Sequence, residues 1–255
     1  MVEPLKSFVC DKMQVAVYDS NAALGMAAAE DLAEILRQAV AEQGETSIIV
    51  ATGNSQLLFM EALRAMPDIP WDKIRVFHMD EYLGMSDQHP ASFRKYIKER
   101  LTDVVGARFY GVPGDAEDVE AALAEYTALL AKYKPVACVL GIGENGHLAF
   151  NDPPADFETD KTIHIVTLVE TCRKQQVGEG HFKTIADVPD RALSLTVPAL
   201  LKPAHVLAVV PEIRKASAVK AALEGPVTPD CPASLLRTKS HVKMYLDPES
   251  SSLLQ

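Results

Sequence analysis

Three polar groupings in the chain are of types that do chemistry, and each begins where an apolar run ends. The longest is Gly141-Ile142-Gly143-Glu144-Asn145-Gly146-His147-Leu148-Ala149-Phe150-Asn151-Asp152-Pro153-Pro154, after the apolar residues 136–140. His147 carries a side chain that moves protons near neutral pH. Asp152 lies near enough in the same loop to orient its ring, the part a carboxylate plays beside a catalytic imidazole. Asn145 is a second short polar neighbour. The glycines let the backbone turn sharply and approach a ligand. Read alone, the stretch also fits a tight turn with one solvated histidine.

The second grouping, Asp80 and Glu81, closes the apolar residues 74–79. Neighbours in an extended segment point to opposite sides, so only one of the two carboxylates can enter a cleft. A partly desolvated carboxylate there has a raised pKa and suits a general base; an acidic helix cap or a solvated turn reads equally from these residues alone. The third, Thr52-Gly53-Asn54-Ser55, joins a strand pattern to a helix pattern. Helix N-terminal N–H groups with hydroxyls beside them suit a phosphate, although an ordinary turn and cap has the same composition. The Gly-Lys-Ser/Thr of a nucleotide P-loop is missing, so ATP is not indicated. Lys215 could neutralise an anionic ligand or simply be a solvated charge.

No nucleophile stands out. Ser55 has no base beside it in sequence, and Cys138 sits in an apolar run where thiols are usually inert. The seven histidines are scattered, so neither a catalytic metal nor another cofactor is expected.

The elements that must position these groups alternate. Strand patterns at 13–19, 47–50, 74–79, 107–112, 136–140, 162–168, 192–197, 205–210 and 242–246 are separated by helical patterns at 22–43, 56–65, 91–101, 116–133 and 215–223, with a short helix at 232–238. Ser20 or Asn21 caps the first helix and Gly44 ends it. Such alternation predicts an α/β fold, a mainly parallel sheet with helices on both faces. The ends of parallel strands face one side, so the three groupings converge there. Residues 1–255 read as one domain, without repeat or linker. The pattern loosens at about 156–189, where Gly178-Glu179-Gly180 and mixed charges suggest a mobile lid.

With 255 residues and 48 % apolar content, the chain can bury a large core. No apolar run approaches a membrane span, residues 1–7 lack the order of a signal peptide, and four widely spaced cysteines suit a reducing cytoplasm. A net charge of −10 argues against a general nucleic-acid binder. A monomer and a homo-oligomer both remain open.

Met79-Asp80-Glu81-Tyr82-Leu83-Gly84 with His89-Pro90, then the run 141–153, then Lys215-Ala216 with Leu223-Glu224-Gly225, resemble the glucosamine-6-phosphate deaminase family. The 6-phosphogluconolactonases share its fold but typically show Asp-Glu-Arg at the second loop and Asp-Gly-His-Thr-Ala-Ser at the third; Tyr82 and residues 148–151 look like the deaminase branch. The resemblance covers about residues 13–246. It implies a Rossmann-like domain without a dinucleotide fingerprint and a small phosphorylated sugar as substrate. Glucosamine 6-phosphate and water would give fructose 6-phosphate and ammonia, with His147 opening the ring and Asp80 moving the C2 proton to C1. Thr52, Gly53, Asn54, Ser55 and Lys215 would hold the phosphate. A lactonase and a non-catalytic sugar-phosphate sensor are the competing readings. The chain departs from the best-known deaminases, which have Asp at the position of Asn145 and Glu at that of Asp152. Asn54 and Ser55 replace a second glycine and a threonine. For the family's lid arginine the nearest match is Arg173.

Overall fold

A computed structural model describes residues 2–178 and 180–255; Met1 of the N-terminal expectation and Glu179 of the expected lid lie outside them. In chain order the elements are β1 (Lys6–Cys10), β2 (Met13–Val17), α1 (Asn21–Gln43), β3 (Thr46–Val50), α2 (Leu57–Ala65), β4 (Ile74–His78), β5 (Asp80–Tyr82), α3 (Phe93–Ile97), α4 (Asp103–Val105), β6 (Arg108–Tyr110), α5 (Val119–Tyr133), β7 (Ala137–Leu140), β8 (Ile163–Thr167), α6 (Glu170–Gly178), β9 (Arg191–Leu195), α7 (Val197–Leu200), β10 (His205–Val210), α8 (Ala216–Glu224) and β11 (Val242–Leu246).

Eight strands make one sheet in the order β1-β2-β11-β10-β7-β3-β4-β6. Every neighbouring pair is parallel except β1 with β2. Period-two alternation divides the side chains between its faces. Ile49, Cys138 and Leu140 join the core beneath α5 and α8, while Ile48, Val50, Ala137 and Val139 join the core beneath α1 and α2. Strands buried on both faces read as continuous apolar runs, which is why β3, β7 and β10 are plain in the sequence. Ser20 Oγ accepts from Ala23 N at 3.2 Å and caps α1.

Three elements differ from the sequence reading. β1 is an exposed edge strand with weak patterning. Residues 80–82 are a strand rather than a loop: β5 pairs antiparallel with β9, and β9 with β8, in a second sheet of order β5-β9-β8. Three residues carrying two carboxylates have no strand signal of their own, and the pairing comes entirely from β9. Within the expected lid, residues 163–167 are held by a five-pair ladder to β9, and α6 follows. Residues 163–167 of the expected lid thus belong to a sheet.

Candidate active site

β3 and β7 lie side by side, but β4 flanks β3 on one side and β10 flanks β7 on the other. Chain connections diverge at this point and leave a crevice at the strand ends, where open α/β sheets receive ligands. A cavity of about 80 Å³ lies there. Thr52, Gly53, Asn54 and Ser55 line it after β3, Gly143 and His147 after β7, Asp80 from β5, and Lys215 from the turn before α8. The three groupings and the lysine, spread over more than half the sequence, meet in one space.

Asp80 and Glu81 separate as the pleat requires. Glu81 turns away from the cavity and is fully buried. It accepts from Ser92 Oγ at 2.7 Å, Arg94 N at 3.0 Å and Phe93 N at 3.2 Å. This carboxylate holds the N-terminus of α3, the place a helix dipole favours, and Arg94 Nε meets it at 3.3 Å. Asp80 faces the cavity. Its Oδ1 is buried and has no hydrogen-bond partner among the described residues. Burial, reinforced by the nearby charge of Glu81, pushes its pKa up to about 8. A carboxylate so placed is basic enough to compete for a proton near neutral pH.

His147 is locked from behind. Its Nδ1 is 2.7 Å from Asn145 Oδ1 and 3.3 Å from Asp152 Oδ1. Asn145 Nδ2 donates to Asp152 Oδ1 at 3.1 Å, which fixes the amide orientation and makes both neighbours of Nδ1 acceptors. The ring proton therefore belongs on Nδ1, leaving Nε2 as an acceptor. Burial works to raise the Asp152 pKa, but hydrogen bonding and charge from His147, with hydrogen bonds from Asn145 and Cys172, prevail and hold it below the usual carboxylate range. The imidazole lies on Gly143: a Cβ built there would stand 2.2 to 2.3 Å from three ring atoms. Glycine is needed at 143 because the ring occupies that space.

At the opposite wall Gly53 has φ +103° and ψ 164°, a conformation essentially restricted to glycine. Tyr96 Oη donates to its carbonyl at 2.8 Å and clamps the loop. No side-chain cap satisfies the first N–H groups of α2 or of α8. The N-termini of α2 and α8, each entered through a tight turn that already engages Leu57 N and Ala216 N, and the buried Lys215 suit an anion through the helix dipole and the lysine's charge.

Arg173 does not reach this space. Its guanidinium donates to the carbonyls of Ile185 and Val188 at 2.7 and 3.0 Å, tying α6 to the segment after it. The arginine expected to face the ligand thus spends its guanidinium on these two carbonyls. Gln175, Gln176 and His181 face the cavity in its place, and sequence reasoning missed all three. Tyr82 Oη donates to Gln176 Oε1 at 2.6 Å, and Phe182 packs edge-on against the Tyr82 ring at 5.2 Å. The only available signal was Tyr82 itself, a large side chain beside the catalytic candidates that needed a polar partner when buried.

Residues 19–245 match the family described as glucosamine-6-phosphate isomerases/6-phosphogluconolactonase. The chain belongs to this family. It is 34 % identical over 232 residues to a glucosamine-6-phosphate deaminase of Exiguobacterium sibiricum, covering 89 % of this chain and 90 % of the relative. A deaminase of the same name from Pseudarthrobacter chlorophenolicus is 31 % identical over 249 residues, 95 % of this chain and 93 % of its own. Among solved structures, a monomeric glucosamine-6-phosphate deaminase superposes with a TM-score of 0.86 at 29 % identity, covering 94 % of this chain and 99 % of its own. A 6-phosphogluconolactonase from Shewanella baltica shares the fold, with a TM-score of 0.74 at 20 % identity over 94 % of this chain and all of its own.

Proposed function

We propose that this chain is a glucosamine-6-phosphate deaminase, converting glucosamine 6-phosphate and water to fructose 6-phosphate and ammonia. The observation that carries the reading is Asp80: a buried carboxylate with an unpartnered oxygen, opposite an anion-binding wall and beside a histidine whose free nitrogen is an acceptor. The phosphate sits against residues 52–55 and Lys215, fixing the sugar carbons relative to Asp80. His147 Nε2 takes the proton of the anomeric hydroxyl and returns it to the ring oxygen, opening the pyranose. Asp80 then removes the C2 proton, giving an enolamine, and delivers it to C1. The product is an imine at C2; water adds there, and ammonia leaves. A carbon acid ionises reluctantly, so fixed geometry and electrostatic stabilisation carry much of the barrier. Asn145 and Asp152 act as positioning residues for His147.

We place this chemistry in the cytoplasm, within one domain covered by residues 170–188. Among the described residues no helix is long and apolar enough to cross a membrane. Incubation with glucosamine 6-phosphate, with 6-phosphogluconolactone as control, tests the reading. Equal amounts of ammonia and fructose 6-phosphate are expected. Rapid lactone opening without ammonia would move the chain to the lactonase branch, and binding without turnover of either would make it a sensor.

A further inference from the structure

The two sides of the anion site repeat one backbone unit. After β3, Gly53 opens the turn Asn54–Gln56, which runs straight into α2; after β10, Glu212 opens the turn Ile213–Lys215, which runs straight into α8. The opening residues share a backbone conformation, φ +103° and ψ 164° at Gly53 and φ +81° and ψ 144° at Glu212. Glycine adopts it freely, whereas a residue with a Cβ is strained there and stays only where its surroundings impose it. Glu212 therefore has to be held. The restraint comes from β11, which lies parallel to β10 with Leu246 opposite Val210. Asp247, the next residue, stands beside the bend. It is 3 % exposed, and its two oxygens have separate partners. Oδ1 accepts from Ser250 N at 2.7 Å and secures its own turn, while Oδ2 accepts from Glu212 N at 3.0 Å. The Glu212 carbonyl accepts from Lys215 N at 3.0 Å, and the Glu212 carboxylate pairs with Arg214.

We propose that Asp247 is a positioning residue for the anion site: its buried carboxylate holds Glu212 in the strained bend, and the bend keeps Lys215 in the cavity wall. The N–H of Glu212 is the point of control, because φ turns about the N–Cα bond beside it and fixing that N–H fixes φ. Released from Asp247, Glu212 relaxes to negative φ, and the turn Ile213–Lys215 shifts with it. Lys215 then leaves the place it shares with residues 52–55 along the cavity. A second carboxylate, Glu249, accepts from Ile213 N at 3.2 Å. It is exposed and grips the residue after the strained one, so it does not replace Asp247. The inference rests on the reading of this cavity as a sugar-phosphate site. Asp247 lies behind the wall, so its effect is on the grip of the anion rather than on proton transfer.

The test is a double-mutant cycle read in the affinity for inorganic phosphate and in steady-state kinetics. Its members are the wild-type protein, Asp247→Ala, Glu212→Gly and the double variant. Removing Asp247 weakens phosphate binding about ten-fold, the scale of one displaced charged contact. KM for glucosamine 6-phosphate rises alike, with kcat within about three-fold. In the Glu212→Gly background the same removal changes either quantity by less than about two-fold, because glycine keeps the bend without help. Melting temperatures report the strain itself: Glu212→Gly melts about 3 °C above Glu212→Ala. Should Asp247→Ala fail to fold, Asp247→Asn, whose single oxygen can serve Ser250 N or Glu212 N but not both, carries the cycle. Equal effects of removing Asp247 in both backgrounds overturn the proposal, since a merely structural carboxylate is indifferent to what stands at 212. Lower kcat with unchanged phosphate affinity overturns it too, as does a wild-type protein that binds no phosphate. A wild-type protein that binds phosphate but releases no ammonia overturns the deaminase reading alone, and the phosphate cycle still decides on Asp247.

Discussion

The cavity has a floor and a cover built on different principles. The floor is the end of the large sheet. Its loops are clamped by short local contacts, with Tyr96 on Gly53, Asn145 and Asp152 on His147, and Gly143 against the imidazole. The cover is a short polar helix resting on aromatic side chains, joined by Tyr82 to Gln176 and by Arg173 to the backbone that follows. Groups that must be exact within a fraction of an ångström sit on the floor. Groups that must let a sugar in and out sit on an element with few buried contacts, the low-stability end of a structure. On the proposed mechanism the reacting groups sit on the part held by the large sheet, and the groups over them sit on the part with fewer buried contacts.

Substitutions can break this contrast, and the floor should give the largest effects. Asp80→Asn removes the base: we expect kcat to fall about 1,000-fold or more, with ammonia release as the assay. The same change should stabilise the protein. The folded pKa of about 8 lies above the ordinary value of 3.8, so the unfolded chain gives up this proton first and stability declines as pH rises between those values. Asparagine escapes that loss, and the melting temperature at pH 8 should rise by about 4 °C or more. Activity lost together with stability would show that Asp80 is structural.

Gly143→Ala comes next. A methyl group in the space of the ring must displace His147, and a fall of about 100-fold in kcat is expected, the scale of a lost general acid–base group; unchanged kinetics would mean the ring is elsewhere during catalysis. The pH dependence of kcat/KM should follow Asp80, rising about ten-fold between pH 7 and pH 9 as the base ionises. A profile flat over that range would remove Asp80 from the base role. Gly53→Ala forces a non-glycine residue into a strained conformation costing about 1–3 kcal/mol. KM should rise several-fold with little change in kcat, because the phosphate wall is what shifts. Arg173→Ala should act least on chemistry, changing kcat by less than about two-fold while making residues 170–188 more susceptible to protease. A large loss of kcat would return Arg173 to the substrate.

The same contrast governs what could be read from the sequence. Floor residues announce themselves because their constraints are local: glycines where a ring or a loop needs room, a histidine and carboxylate in one turn, apolar runs for strands buried on both faces. The choice between Asp80 and Glu81 was legible only as a choice, since the pleat separates them but the packing of α3 decides which goes where. Lys215 was ambiguous for a similar reason, because burial is a property of its neighbours. The cover left almost no trace. Gln175, Gln176 and His181 are ordinary polar residues until Tyr82 and the aromatic cluster seat them, and a charge such as that of Arg173 does not say in advance which group it will meet. The three-stranded sheet was invisible because β5 becomes a strand only by pairing with a segment more than a hundred residues away.

One feature of the large sheet bears on how the molecule is made. β11, the last strand in the chain, lies between β2, among the first, and β10. A ribosome delivers the hairpin of β1 and β2 early, yet that hairpin can join the sheet only after the strand that separates it from β10 has emerged. Until then β10 presents an open edge, and the hairpin has no partner on its inner side. Strand pairings this distant in sequence form slowly. Assembly of the sheet is therefore a closing step that inserts the newest segment beside the oldest.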